Sequence, residues 1–220
     1  MKAFVIRKKN DDLSERLADE CIASAKAFGI TVEKFDGVYD NHEEHLNQDK
    51  LFPNTVAGKK LTNGYKGCFL SHYLIWKKCI EWNEPVLIFE HDAVMLRPIT
   101  DEILNGFDTI LVLDRFSRDP QYENLLTKEM ELKIHQHDKI DEYNRKWINR
   151  TMINGSHAHL VKPKGAIEII NSIKQHGYVV TDVAVNQIYL TYYSIEPTVA
   201  RVNPFFTLGN NRKFSHLKTH

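Results

Sequence analysis

The chain has 220 residues, 42% hydrophobic and 26% charged, with 29 basic and 29 acidic side chains and a formal net charge of +0. That length allows one domain with a sizeable core, and the charge balance removes any global electrostatic reason to expect nucleic acid or an anionic membrane as partner. Cys21, Cys68 and Cys79 form an odd set without paired metal-type spacing, which points to a reducing compartment; Cys68 and Cys79 sit among apolar residues as packing groups.

The first predicted element is a strand, AFVIR. The apolar part of MKAFVIR is too short for a signal peptide, and no stretch approaches the roughly 20 apolar residues of a membrane span. The expectation is a cytoplasmic protein without a transmembrane segment. The sequons at Asn149 and Asn154 then read as chance occurrences. LSERLADECIASAKAFGI is an amphipathic helix with Leu13, Leu17, Cys21, Ile22 and Ala25 on one face, ended by Gly29. TVEKFDGVYD supplies a second strand running into a loop, and residues 40 to 62 are polar and irregular, broken by Pro53 and Gly58. GCFLSHYLIWKKCIEW is a strong helix with Phe69, Tyr73, Trp76 and Ile80 on one stripe, and PVLIFE is an apolar run suited to a strand buried on both faces.

DTILVL is a further strand, followed by a charged stretch at about 115–150 that predicts a helical or irregular insertion over the sheet and contains HQHD at 135 to 138. HAHLV is a strand and KGAIEIINSIKQHG a helix closed by Gly177. TDVAVNQIYLTYY starts as a helix with Thr181 or Asp182 as N-cap, and YSIEPTVARV is extended. Alternating strands and helices predict a single α/β domain over residues 1–220, with a mainly parallel sheet flanked by helices and a C-terminal tail at about 209–220.

The chemistry concentrates in LIFEHDAV, where an apolar run stops at Glu90-His91-Asp92. Ligands of open α/β sheets bind at the carboxyl ends of strands. Extended backbone alternates its side chains, so Glu90 and Asp92 point one way and His91 the other. Two carboxylates on one side suit magnesium or manganese, completed by water and substrate phosphates. The plainer reading is a solvated turn after the strand.

Several stretches in order carry a family resemblance. Gly67-Cys68-x-x-Ser71-His72-x-x-x-Trp76 precedes a buried strand ending in the Glu90-His91-Asp92 triplet. FVIRKKNDDLSERL lies before them, and GSHAHLVKPKGAIEII and VVTDVAVN after them. Together they resemble glycosyltransferase family 25, the lipooligosaccharide and collagen galactosyltransferase group, over most of the chain except residues 40 to 60 and 115 to 150. The resemblance implies a GT-A fold, a UDP-hexose or similar nucleotide-sugar donor, a glycan hydroxyl acceptor, Mn2+ or Mg2+, inversion at the anomeric carbon, and a place in lipopolysaccharide biosynthesis. It assigns the metal to Glu90 and Asp92, with His216 of the tail as a further ligand and the tail closing over the donor. It places Arg7, Lys9 and Asp36 near the base and ribose, Gly67, Ser71, His72, Glu90 and His91 around the donor, and Asp182 as general base. His91 stands where the family usually has Asp, so donor choice is retuned or activity weakened.

Plainer readings stay open for several of these. His72 also fits a buried, hydrogen-bonded histidine, with Gly67 and Ser71 preceding or opening a helix whose amino end can receive a phosphate. Asp182 also fits an N-cap or first-turn carboxylate. His216 also fits a frayed terminus. His157 and His159 share a strand face but lack a third ligand type and read as ordinary polar strand residues; His135, His137 and Asp138 read as solvated. Two rival functions remain, a metal-dependent nucleotide-sugar phosphohydrolase and a non-catalytic sugar-nucleotide binding protein.

Overall fold

A computed structural model describes residues 1–54, 61–114, 131–139, 156–185 and 189–203. Its centre is a seven-stranded sheet in the order β2-β1-β3-β7-β5-β8-β6. The strands are β1 (Lys2–Arg7), β2 (Glu33–Asp36), β3 (Val86–Glu90), β5 (Ile110–Val112), β6 (Lys133–His137), β7 (Ala158–Val161) and β8 (Tyr192–Glu196). Strands β2, β1, β3, β5 and β8 share one direction, while β7 and β6 run against them. The sheet is therefore mainly parallel in strand direction, as expected, but an antiparallel strand is wedged into its middle. A second, two-stranded sheet pairs β4 (Ala93–Met95) with β9 (Ala200–Val202).

The central strands are apolar on both faces because both faces are covered. Val86, Ile88, Ile110, Val112 and Val161 pack with α3 (Asn63–Trp82), which contributes Phe69, Tyr73 and Trp76, and with α5 (Pro163–His176), which contributes Ile169 and Ile173. The other face, through Val5, Leu87, Phe89, Leu111 and Leu160, packs on Ala18, Cys21 and Ala25 of α1 (Asp12–Lys26) and Ile103 of α4 (Asp101–Asn105). Helix α1 starts where Asp11 accepts a hydrogen bond from the Ser14 amide, and its exit passes through Gly29 at φ +76°, a left-handed position that glycine adopts without cost.

Three expectations are corrected. Residues 40 to 62 are not wholly irregular, since α2 (His42–Gln48) forms there after Asn41 and buries Leu46. The stretch at 131–139 is neither helical nor loose: β6 pairs with β8 at the sheet edge, where one exposed side permits a polar strand. Helix α6 (Thr181–Ala184) has Val180 at its N-cap, with no side-chain cap. Thr181 instead turns its hydroxyl to the Cys68 thiol at 3.4 Å, and Asp182 occupies the first turn.

Candidate metal and donor site at the strand ends

Each parallel strand delivers its last residues to the same edge of the sheet. Strand β3 ends at Glu90, and the chain turns through His91 and Asp92 before entering β4. The turn is held by the Asn203 amide, which donates to the Asp92 carbonyl at 2.6 Å. Because β7 runs the opposite way, its beginning lies at that edge. The Glu90 amide donates to the His157 carbonyl at 2.8 Å, setting His157 beside Glu90.

The His157 Nδ1 lies 3.1 Å from Asp92 Oδ1 and 3.3 Å from Glu90 Oε2. The sequence-based convergence of Glu90 and Asp92 is thus present, with an imidazole between them. Glu90 Oε1 meets Ser156 Oγ at 3.0 Å, His72 Nε2 at 3.3 Å and Cys68 Sγ at 3.5 Å. Burial opposes charge on Glu90, but hydrogen bonds and attraction from His157 and His72 overcome it and hold the carboxyl well below its usual range. Burial likewise opposes charge on His157, and Asp92 with Glu90 outweighs it, holding the imidazole well above its ordinary pKa. Glu90, Asp92 and His157 each offer one donor atom within 4.8 Å of the others. Two carboxylate oxygens and an imidazole nitrogen fit manganese or magnesium.

His72 is fully buried, as its helix position suggested, and its ring stacks on His159 with centroids 5.2 Å apart. His159 faces the Trp76 indole nitrogen at 3.5 Å, and burial followed by repulsion from His72 drops its pKa to about 3. His157 and His159 therefore divide: the first belongs to the acidic cluster and the second to the core. Reading both as ordinary strand residues fails for His157, whose partner Asp92 lies 65 residues away in sequence. Cys68 is likewise more than packing, since it touches both Glu90 and Thr181; burial, then Glu90, raises its pKa well above the ordinary thiol value.

Gly67 and Ser71 do not open α3. The helix starts at Asn63 after Thr62, so both residues lie inside it. Ser71 Oγ donates to the Gly67 carbonyl at 2.6 Å and accepts from the Val38 amide at 2.9 Å, which commits the hydroxyl to the fold. A Cβ on Gly67 would lie 2.3 Å from the Val38 carbonyl oxygen. Both residues seat the segment that follows β2 against α3.

At the ends of β1 and β2 the three predicted residues meet. Arg7 spans Glu15 and Asp36, each at 2.9 Å, and Lys9 reaches Asp36 at 3.3 Å. His91 acts electrostatically on Asp11 at the start of α1. Asp182 acts electrostatically on Cys68 and on Asp114. His216 and the rest of the tail lie outside the described residues.

Asp114, just beyond β5, is a site residue that the sequence reading passed over. Its Oδ1 accepts from the Ala158 amide at 3.3 Å, while Oδ2 is buried without a hydrogen-bond partner. Burial pushes its pKa up to about 7. The available signal was the one that marked Glu90, a carboxylate closing an apolar strand.

A mainly parallel sheet with carboxylates and an imidazole gathered at its carboxyl edge defines an α/β protein whose strand ends form the natural place for a ligand. The profile of glycosyltransferase family 25 (LPS biosynthesis protein) matches residues 2–191, and the chain belongs to that family. Its relatives include the lipooligosaccharide biosynthesis protein lic2B of Haemophilus influenzae, 36% identical over 75 residues, covering 34% of this chain and 28% of that protein. The lacto-N-neotetraose biosynthesis glycosyltransferase LgtE of Neisseria meningitidis is 27% identical over 115 residues, covering 52% and 40%. The procollagen lysyl hydroxylase and glycosyltransferase of Acanthamoeba polyphaga mimivirus is 28% identical over 147 residues, covering 57% and 16%. The chain thus spans less than half the length of each of these relatives. Among the described residues, no helix is long and apolar enough to cross a membrane.

Proposed function

We propose that this chain transfers a hexose from a nucleotide-sugar donor, a UDP-sugar, to a glycan hydroxyl, with inversion, on a GT-A type fold. The observation that carries the reading is the Glu90, Asp92 and His157 cluster at the strand ends of a family 25 chain. Relatives named for lipooligosaccharide and lacto-N-neotetraose biosynthesis support a glycan as acceptor. Three free thiols suit a reducing compartment, the cytoplasm in this reading.

Glu90, Asp92 and His157 would hold Mn2+ or Mg2+, which when bound offsets the negative charge of the donor diphosphate. His72, Ser156 and Cys68 fix Glu90 from behind. Arg7 orients Asp36 toward ribose hydroxyls, with Lys9 beside it. Gly67 and Ser71 set the segment between these groups and α3, and His91 lines the donor side of the turn. Asp182 accepts the acceptor's proton as its oxygen bonds to the anomeric carbon and the bond from that carbon to the diphosphate oxygen breaks. The electron pair leaves with the nucleotide.

The test is release of nucleotide from a panel of UDP-hexoses, with and without glycan acceptors. Turnover should require manganese or magnesium and vanish in Asp92→Asn, whereas Asp182→Asn should retain donor binding and lose transfer roughly 100-fold. Full activity in excess chelator would remove the metal assignment. Donor cleavage that no acceptor redirects would replace transfer with phosphohydrolysis, and donor binding without turnover would leave a binding protein.

A further inference from the structure

The carboxyl edge of the sheet does not end at His157. A cavity of 340 Å³ opens beside it, lined by Asp114, His135, Gln136, His137, Ser194 and Glu196. Alternation along the strands places Asp114, Ser194 and Glu196 on the sheet face that also carries Glu90 and His157. A single peptide joins the two regions: His157 lies between Glu90 and Asp92, while the next amide, of Ala158, is held by Asp114. Asp182 acts electrostatically on Asp114, so the candidate base belongs to the same neighbourhood.

The lining is rich in groups that bind hydroxyls. It offers two carboxyl groups, a hydroxyl and two imidazoles, and none of these described lining residues is Lys or Arg. Among the described lining residues a phosphate would find no lysine or arginine, whereas a neutral polyol finds both donors and acceptors. His137 is fixed in place, its ring stacked on Tyr192 at 4.6 Å and its Nε2 2.8 Å from Ser194 Oγ. Asp114 is 4% exposed, and its Oδ2 has no hydrogen-bond partner. Leaving such an atom unsatisfied is costly, and a sugar hydroxyl would repair the loss.

Resting on the sugar-transfer reading, we propose that this cavity is the acceptor subsite, where Asp114 and Glu196 bind hydroxyls of a neutral hexose and present another to Asp182. The donor then occupies the Arg7 and Glu90 side of the edge and the acceptor the Asp114 side, with His157 at the boundary. His135, 46% exposed in its side chain, stands at the open side.

The experiment is saturation-transfer NMR of the full chain with methyl glucopyranosides and galactopyranosides. In Asp114→Asn the unpartnered, buried oxygen becomes an amide nitrogen while the bond from Ala158 is kept. In His135→Trp the cavity is filled from its exposed side, where folding is little at risk. Both variants should weaken glycoside binding roughly tenfold or more, the loss expected when a buried hydrogen bond is removed. Unchanged binding in both, or no glycoside binding by the parent chain, overturns the proposal. Glycoside binding that both variants weaken, in a chain that turns over no nucleotide sugar, keeps the cavity as a sugar site and removes the transfer reading instead.

Discussion

Two carboxylates at neighbouring strand ends are treated differently by their surroundings. Glu90 has His157 and His72 to favour its charge, whereas Asp114 is dominated by burial and has only one backbone amide as hydrogen-bond donor. The ordinary Asp value of 3.8 is therefore raised in the folded chain to about 7. Between those values the native state keeps a proton that the unfolded state gives up, so stability falls as pH rises through the window and levels off above it. The parent should lose on the order of 3 kcal/mol from this group on passing from about pH 4 to about pH 8. Asp114→Asn, which cannot ionise, should gain in melting temperature relative to the parent across the same range. A difference between the two proteins that does not change with pH would show that Asp114 is not held protonated.

At the scale of elements, α3 is the part on which the site's geometry turns. It carries Cys68 and His72 to Glu90, and it meets the segment after β2 at Gly67, where no side chain fits. Two effects compete when Gly67 becomes Ala. Helix propensity favours Ala by about 1 kcal/mol. Against it, a Cβ 2.3 Å from the Val38 carbonyl oxygen and 3.0 Å from His42 Nε2 forces the backbone apart, at a cost of roughly 1–3 kcal/mol for overpacking. The contact is with backbone, which cannot rotate away, so Gly67→Ala should be destabilising in urea denaturation. A stabilised variant would mean that helix and loop separate without cost. Gly165 in α5 has the same relation to Thr109, where an added Cβ would approach the carbonyl at 2.5 Å.

Across the whole molecule, stability should fall off from the sheet centre. Strands β3 and β7 are buried nearly throughout, while β6 is a largely exposed strand that, among the described strands, pairs only with β8 at the sheet edge. Hydrogen exchange should therefore leave the amides of Val86–Phe89 and Ala158–Val161 protected longest, with Lys133–His137 opening first. Equal protection of β6 and β3 would indicate a single cooperative unit. The same contrast explains what could be read from residues alone. PVLIFE is legible as a strand because burial on both faces demands an unbroken apolar run, and α3 because its aromatic stripe recurs at helical spacing. KIHQH is not, because an edge strand at the surface keeps no such pattern. AHLV is legible as a strand but not in its direction, since a short apolar run reads alike either way. That direction decides His157. With β7 parallel, the imidazole would lie at the far edge, away from Glu90.

An antiparallel strand contributes its first residue to an edge where every parallel neighbour contributes its last. The chain leading into β7 can thus change in length without moving His157, provided that Phe89 stays opposite Ala158 and Ile88 opposite His159. A slip of one position along that ladder is another matter. Strand alternation would turn the imidazole to the opposite face and leave alanine or serine facing Glu90. The imidazole beside Glu90 and Asp92 is consequently specified by the pairing frame of a four-residue strand, and evolution has room upstream of it but almost none within it.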